Sequence, residues 1–207
     1  MADGSRAAHW ESIYTTKAES EVSWFQQSPA PSFELIVQAG ATSKSVIIDI
    51  GGGASRLVDN LIGQGFEDVT VLDLSASALA AAKGRLGAHA ERVSWIVADA
   101  TSWEPIRLYD VWHDRAAFHF LTDANDRAAY VARLERGLKI GGHAIIATFA
   151  LDGPEKCSGL PVARYDSASL GQMLGGTFKL IHTQRHVHAT PWDAQQNFQF
   201  SMFRRER

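Results

Sequence analysis

Three acidic residues and a run of glycines are the residues of this sequence best suited to binding a nucleoside. The stretch IIDIGGGASRLV (47–58) passes from an apolar run containing Asp49 through three consecutive glycines into a helix-like pattern. Two further acids, Asp73 and Asp99, end later apolar runs. Glycines let the backbone approach a ligand, and an acid placed like Asp73 can accept hydrogen bonds from both ribose hydroxyls. The pattern predicts a site for a nucleoside-containing cofactor.

Two features favour a cofactor with an amino group over a dinucleotide. The dinucleotide motif has a third glycine, close to the pyrophosphate, where this sequence has Arg56. Asp49 would repel a pyrophosphate but suits a positively charged amino group. Asp99 is placed to accept a hydrogen bond from an adenine amine, and the Ala100 amide can donate one to a ring nitrogen. A nicotinamide-dependent oxidoreductase is the alternative at this point.

Alternating strand-like and helix-like segments predict how these residues are positioned. Short runs rich in Val and Ile predict strands that are covered on both faces. The predicted strands are 45–50, 68–74, 93–99, 109–114, 143–150, 178–188 and 197–203. The last two form a closing hairpin. The predicted fold is α/β: a doubly wound, seven-stranded, mostly parallel sheet with helices on both faces and a C-terminal antiparallel hairpin.

Local signals predict where two of the helices begin and end. Ser75 is a candidate N-cap for the helix that follows Asp73. Tyr130 and Leu134 share one face of a later helix, and the stretch LKIGG (138–142) is predicted to end that helix with glycine before the fifth strand.

Composition and charge exclude several classes of partner. The formal charge is −3, and no dense run of Lys and Arg is present, so neither nucleic acid nor an anionic membrane is a predicted partner. No apolar run approaches the roughly 18 residues of a membrane span. The single cysteine, Cys157, excludes an internal disulfide and favours a cytoplasmic location. His186 and His188 lack a nearby carboxylate or thiol in ligand spacing, so no metal is predicted.

Over residues 45–150 the sequence resembles the class I S-adenosylmethionine-dependent methyltransferases. Their first motif, (Asp/Glu)-x-Gly-x-Gly-x-Gly, is matched by Asp49, Gly51 and Gly53, with Ser55 at the last glycine. The resemblance implies S-adenosylmethionine as the cofactor, with ribose bound by the acid of the second strand and adenine by the acid of the third. The cofactor contacts expected from motif and resemblance are Trp10, Tyr14, Asp49, Gly51, Gly53, Asp73, Leu74, Asp99, Ala100 and His113.

A narrower resemblance links the chain to small bacterial methyltransferases of uncertain substrate and to elongation-factor lysine methyltransferases. The lysine enzymes show Asp-Lys-Gly-Thr after the fourth strand, where this sequence has Asp114, Arg115, Ala116 and Ala117. In the family this strand end lies near the transferred methyl group. His113 and Asp114 are therefore the predicted catalytic residues there.

The N-terminal segment is predicted to be a lid. Trp10, Ile13 and Tyr14 share one face of a short helix, and Trp24 follows before a proline-marked turn. We predict one domain, 1–207, with an N-terminal helical lid (1–40) and a Rossmann-like core (45–207). Tyr14 is expected to reach the methionine end of the cofactor or the acceptor, which makes it the third catalytic candidate.

These observations predict an S-adenosylmethionine-dependent methyltransferase that acts on a small-molecule acceptor. The absence of a basic docking surface and of an added recognition domain favours a small molecule. A protein lysine methyltransferase and a non-catalytic S-adenosylmethionine-binding module are the alternatives.

Overall fold

The computed structural model describes residues 3–207 and contains a seven-stranded sheet flanked by helices. Its strands are β1 (Val46–Ile50), β2 (Asp68–Asp73), β3 (Val93–Val97), β4 (Tyr109–Arg115), β5 (Leu138–Phe149), β6 (Lys156–Cys157), β7 (Leu160–Pro161), β8 (Phe178–Ala189) and β9 (Gln195–Arg205). Its α-helices are α1 (Asp3–Thr16), α2 (Ser32–Gln38), α3 (Leu57–Gly63), α4 (Ala76–Leu86), α5 (Ala124–Gly137) and α6 (Ser167–Leu174). Short 3₁₀ turns lie at Glu19–Glu21, Gly87–Arg92 and Phe118–Phe120.

The strand order of the main sheet is β3-β2-β1-β4-β5-β9-β8. The first five strands in that order are parallel, and β9 runs antiparallel to both β5 and β8. The predicted mostly parallel sheet and its C-terminal hairpin are confirmed. The two-residue strands β6 and β7, which form a separate antiparallel pair, were not predicted.

Helices cover both faces of the sheet because successive residues of a strand point to opposite sides. In β1, Ile47 joins the core cluster that contains residues of α2, α3 and α4, whereas Ile48 joins the cluster that contains residues of α5 and α6. Both side chains are fully buried. Burial on both faces explains why the central strands are continuous apolar runs.

One predicted helix end is wrong. Helix α5 ends at Gly137 and β5 begins at the next residue, so the stretch LKIGG lies within a strand. Its glycines serve an irregular start of that strand, where pairing with β4 shifts register. Gly141 has a φ of +81°, and a Cβ on Gly142 would lie 3.0 Å from the Asp110 main-chain oxygen.

Within residues 3–207, no helix is both long enough and apolar enough to cross a membrane.

Candidate functional site

A cleft that is open to solvent at its mouth lies at the carboxyl ends of the parallel strands. This is where ligands bind in open α/β sheets, because the loops there diverge. Helix α1 and the segment after β4 form its other walls. The predicted cofactor residues that line the cleft are Trp10, Tyr14, Gly51, Asp73, Leu74, Asp99 and Ala100.

A second hollow, the side chamber, adjoins the cleft and shares Tyr14, Trp24, Gly51 and Arg115 with it. Two other predicted residues, Asp49 and His113, line the side chamber and not the cleft. The sequence predicted that all of these residues surround one ligand. In the structure they are distributed over two adjoining hollows.

The glycine turn after β1 fits tightly against its surroundings. Gly51 and Gly53 have φ values of +66° and +43°, a region that strains other residues. A Cβ on Gly51 would lie 2.7 Å from the Ala117 Cβ, and one on Gly53 would lie 2.9 Å from the Asp73 Oδ2. Both positions therefore require glycine.

Asp73 ends β2 with its carboxylate at the cleft wall. Its Oδ1 accepts a hydrogen bond from the Ser75 amide at 2.8 Å. The Ser75 hydroxyl in turn accepts from the Ala78 amide, which confirms Ser75 as the N-cap of α4. Burial, together with the charge of Asp49, raises the pKa of Asp73 to about 7. Hydroxyl donors from a ligand would stabilise the ionised form and lower this pKa.

Asp99 is held in place from two sides. Its Oδ1 accepts from the amide and hydroxyl of Thr101 at 2.7 and 2.6 Å. Its Oδ2 forms an ion pair at 3.0 Å with Arg6 of α1, which also pairs with Asp126 at 2.6 Å. Arg6 was missed in the sequence because a lone arginine on a helix belongs to no motif.

His113 and Asp49 form a buried pair beside the side chamber. His113 Nδ1 lies 2.7 Å from Asp49 Oδ1, and the two residues are only 2% and 3% exposed. An imidazole whose Nδ1 donates to a carboxylate has its second nitrogen, Nε2, available as a hydrogen-bond acceptor. This Nε2 is shielded from solvent and has no hydrogen-bond partner among the described residues. The arrangement is suited to accepting a proton.

Asp114 has structural contacts, and its predicted catalytic role stays a prediction. The residue is fully buried and lines neither hollow. Its carboxylate accepts hydrogen bonds from the Ala117 and Phe118 amides and from the Tyr130 hydroxyl, the last at 2.7 Å. These bonds hold the segment after β4 against α5.

Helix α1 is fastened to the core by polar contacts. Glu11 accepts from the Ser75 hydroxyl at 2.7 Å and from the Ser77 amide at 3.2 Å, where a carboxylate also suits the N-terminal dipole of α4. The Tyr14 hydroxyl accepts from the Trp24 indole at 2.9 Å. Burial and the charge of Asp73 raise the pKa of Tyr14, so its proton stays available to a ligand.

A metal site needs several His, Cys, Asp or Glu side chains close together. Among residues 6–207, whose side chains the structure describes, no group of three or more His, Cys, Asp and Glu residues is arranged to hold a metal ion.

A protein-family model described as a methyltransferase domain matches residues 47–142. The matched stretch runs from β1 into β5 and contains the glycine turn, Asp73 and Asp99. Among curated proteins, none matches the chain significantly.

Several solved structures share the fold. A structure from echinomycin biosynthesis, described for the conversion of a disulfide bond into a thioacetal group, is 20% identical with a TM-score of 0.76, covering 97% of this chain and 93% of the other. The 1,6-didemethyltoxoflavin N1-methyltransferase of Burkholderia thailandensis, with bound 1,6-didemethyltoxoflavin and S-adenosylhomocysteine, is 21% identical with a TM-score of 0.70, covering 100% and 92%. The glycopeptide N-methyltransferase MtfA, complexed with S-adenosylhomocysteine, is 15% identical with a TM-score of 0.67, covering 84% and 88%.

Proposed function

We propose that this chain is a class I S-adenosylmethionine-dependent methyltransferase that methylates a small-molecule acceptor, consistent with the methyltransferase-domain model that matches residues 47–142. The observation that supports the proposal is the lining of the cleft at the strand ends, where Asp73 and Asp99 lie among apolar side chains and α1 forms one wall. A mostly apolar cleft with a few placed polar groups is typical of small-molecule sites. Two of the structural relatives act on a toxoflavin precursor and on a glycopeptide.

The cleft fits the cofactor in charge and in shape. The sulfonium and amino groups of S-adenosylmethionine are positive, and the two hollows present the carboxylates of Asp49, Asp73 and Asp99. The glycine turn lets the backbone approach a ligand closely, because a side chain at Gly51 would clash with Ala117. Bound cofactor would supply a methyl group on a sulfonium leaving group.

The chain's own residues contribute mainly positioning. In the proposal Asp73 accepts hydrogen bonds from the ribose hydroxyls, Asp99 and the Ala100 amide contact adenine, and Leu74 packs beside it. Trp10 and Tyr14 keep water away from the reacting atoms. Methyl transfer is an in-line displacement, so correct placement of the acceptor can supply much of the barrier reduction.

His113 is the proposed proton acceptor for a nucleophile that arrives protonated. Its Nδ1 contact with Asp49 orients the ring, and its Nε2 is unpartnered among the described residues. His113→Asn keeps a donor for Asp49 but removes the base. Turnover should fall about a hundredfold, as is typical of lost general-base catalysis, with the affinity for S-adenosylhomocysteine nearly unchanged. Equal turnover per folded molecule would exclude this role.

The cofactor assignment can be tested through tryptophan fluorescence. Trp10 and Trp24 line the cleft, whereas Trp192 is exposed. Titration with S-adenosylhomocysteine should quench the fluorescence, and the change should shrink in Trp10→Phe and Trp24→Phe but not in the control Trp192→Phe. A response to NAD instead would contradict the assignment.

The acceptor class can be tested by label transfer. Methyl-labelled S-adenosylmethionine is incubated with the enzyme and a cell lysate, which is then separated into small molecules and proteins. We expect the label in the small-molecule fraction. Label in proteins alone would favour lysine methylation, and binding without any transfer would indicate a non-catalytic module. We also propose a cytoplasmic location, since a chain with a single cysteine needs no oxidising compartment.

A further inference from the structure

Arg115, the last residue of β4, places a cation in the wall between the cleft and the side chamber. Its Nη1 donates a hydrogen bond to the Trp24 main-chain oxygen at 3.1 Å, and its guanidinium lies 5.2 Å from the centre of the Phe198 ring. Burial lowers the pKa of Arg115 to about 10, so the side chain remains charged at neutral pH.

The remaining donors of Arg115 are unused. Its Nε and Nη2 are shielded from solvent and have no hydrogen-bond partner within the part of the chain that the structure describes. Arg6 and Arg85, by contrast, each pair with a carboxylate, that of Asp99 and that of Asp59 respectively. Such a cation is costly to keep, because desolvated donors lose their bonds to water without replacement.

The two unused donors lie on one edge of the guanidinium. Nε and Nη2 point in the same direction, with a spacing that matches the two oxygens of a carboxylate. The neighbouring Cys157 thiol and Tyr14 hydroxyl do not compete as anions, because burial raises the pKa of each, to about 11 for Cys157. Against the lowering by burial, the charge of Asp49 raises the pKa of Arg115, but Asp49 forms no hydrogen bond with it, and its Oδ1 is engaged by His113.

We propose that this edge of Arg115 binds a carboxylate inside the cleft through a side-on, two-point contact. The carboxylate belongs either to the methyl acceptor or to the amino-acid end of the cofactor, and both sources present the same chemistry. The inference rests on the proposed function, since it requires that the cleft hold the cofactor and its acceptor.

Arg115→Met and Arg115→Lys are compared with wild type and with the control Arg127→Met. Arg127 bonds the main-chain oxygens of Leu121 and Thr122 and lines neither hollow. The probes are S-adenosylhomocysteine, 5′-methylthioadenosine, which lacks the amino-acid end, and benzoate in the presence of S-adenosylhomocysteine. Melting of each ligand-free variant verifies that it is folded.

If Arg115 binds the carboxylate of the cofactor, Arg115→Met should weaken S-adenosylhomocysteine binding at least tenfold. Methylthioadenosine binding should change less than twofold. If Arg115 binds the carboxylate of the acceptor, Arg115→Met should leave S-adenosylhomocysteine binding unchanged and weaken benzoate binding at least tenfold. Arg115→Lys, which keeps the charge without the two-point edge, should be intermediate, and Arg127→Met should resemble wild type.

The proposal is overturned if folded Arg115→Met, or Arg115→Lys should the first variant not fold, binds all three probes within twofold of wild type. Wild type that binds neither adenosine ligand would overturn the proposed function instead. Benzoate titration of the ligand-free wild type and variants would then still test the carboxylate site by itself.

Discussion

Asp73, the proposed ribose-binding residue, illustrates how a site residue can reduce stability. Its carboxylate is 8% exposed, and main-chain amides, that of Ser75 among them, donate hydrogen bonds to it. Burial raises its pKa to about 7, so the ligand-free fold favours the protonated form. The stabilising contribution of that form is complete below the unfolded pKa of about 4 and is lost as the pH rises through about 7.

Asp73→Asn should therefore stabilise the ligand-free protein at pH 8 and weaken cofactor binding. Removing the buried charge should raise the melting temperature by roughly 5 °C or more at pH 8 and change it little near pH 4. Each lost hydrogen bond to the charged group should cost about 1.5 to 3 kcal/mol, so S-adenosylhomocysteine affinity should fall at least tenfold. Melting curves at both pH values and calorimetric titration check this. Unchanged affinity would refute the ribose assignment.

Asp114 is expected to matter for folding more than for chemistry. Asp114→Ala leaves the Ala117 and Phe118 amides and the Tyr130 hydroxyl without their acceptor. Buried unsatisfied donors cost about 1 to 3 kcal/mol each, so the free energy of unfolding should fall by about 3 kcal/mol or more. Urea unfolding measures the loss. A variant as stable as wild type would contradict the structural task that we assign to this residue.

At the scale of elements, both the sheet and helix α1 line the cleft. The sheet supplies the glycine turn and the acids at the strand ends, whereas Arg6, Trp10 and Tyr14 come from α1. The contacts of Glu11 with Ser75 and Ser77 and the packing of Trp10 on Phe120 hold the helix over the cleft. We propose that α1 acts as the predicted lid.

Deleting residues 1–17 tests the lid. Val22 is 4% exposed and Trp24 packs against the core, so the deletion ends before them. The truncated protein should unfold cooperatively, with cofactor affinity and turnover each reduced at least tenfold, since water would reach the reacting atoms. In the full chain, S-adenosylhomocysteine should protect α1 from proteolysis. A truncated protein that binds the cofactor as tightly as the full chain would disprove the lid.

At the scale of the whole molecule, one sheet contains both the strands that end at the cleft and the C-terminal hairpin. The core cluster on one face contains Ile47 of β1 together with Phe198 and Phe200 of β9. Shared burial of this kind couples strands that are distant in sequence, so we expect the molecule to melt as one unit.

A single melting transition should accordingly shift as a whole when the cofactor binds. S-adenosylhomocysteine at a hundred times its Kd stabilises by about 2.7 kcal/mol, which corresponds to about 5 to 10 °C for a chain of this size. Differential scanning calorimetry measures the shift, and NADH is the control. Two separate transitions would contradict the single unit, and a shift with NADH alone would contradict the cofactor.

The sequence by itself determined the sheet, its hairpin and the cofactor motif. Strand-like runs between β1 and β4 were found within two residues of their observed ends, because strands buried on both faces must be apolar along their whole length. The glycine turn and the acids that end β2 and follow β3 could also be predicted from the sequence. Backbone geometry and ligand chemistry restrict those positions to few residue types.

Only the tertiary structure decided which polar side chains face the cleft. His113 and Asp114 are neighbours in β4, yet one lines the side chamber beside Asp49 and the other is bonded to Tyr130. Adjacent strand residues point to opposite faces, and the packed helices determine what each face meets. Arg6 and Arg115 acquire their surroundings in the same way. Long-range packing that no local pattern records gives Arg6 its ion pair with Asp99 and places Arg115 against Trp24 and Phe198.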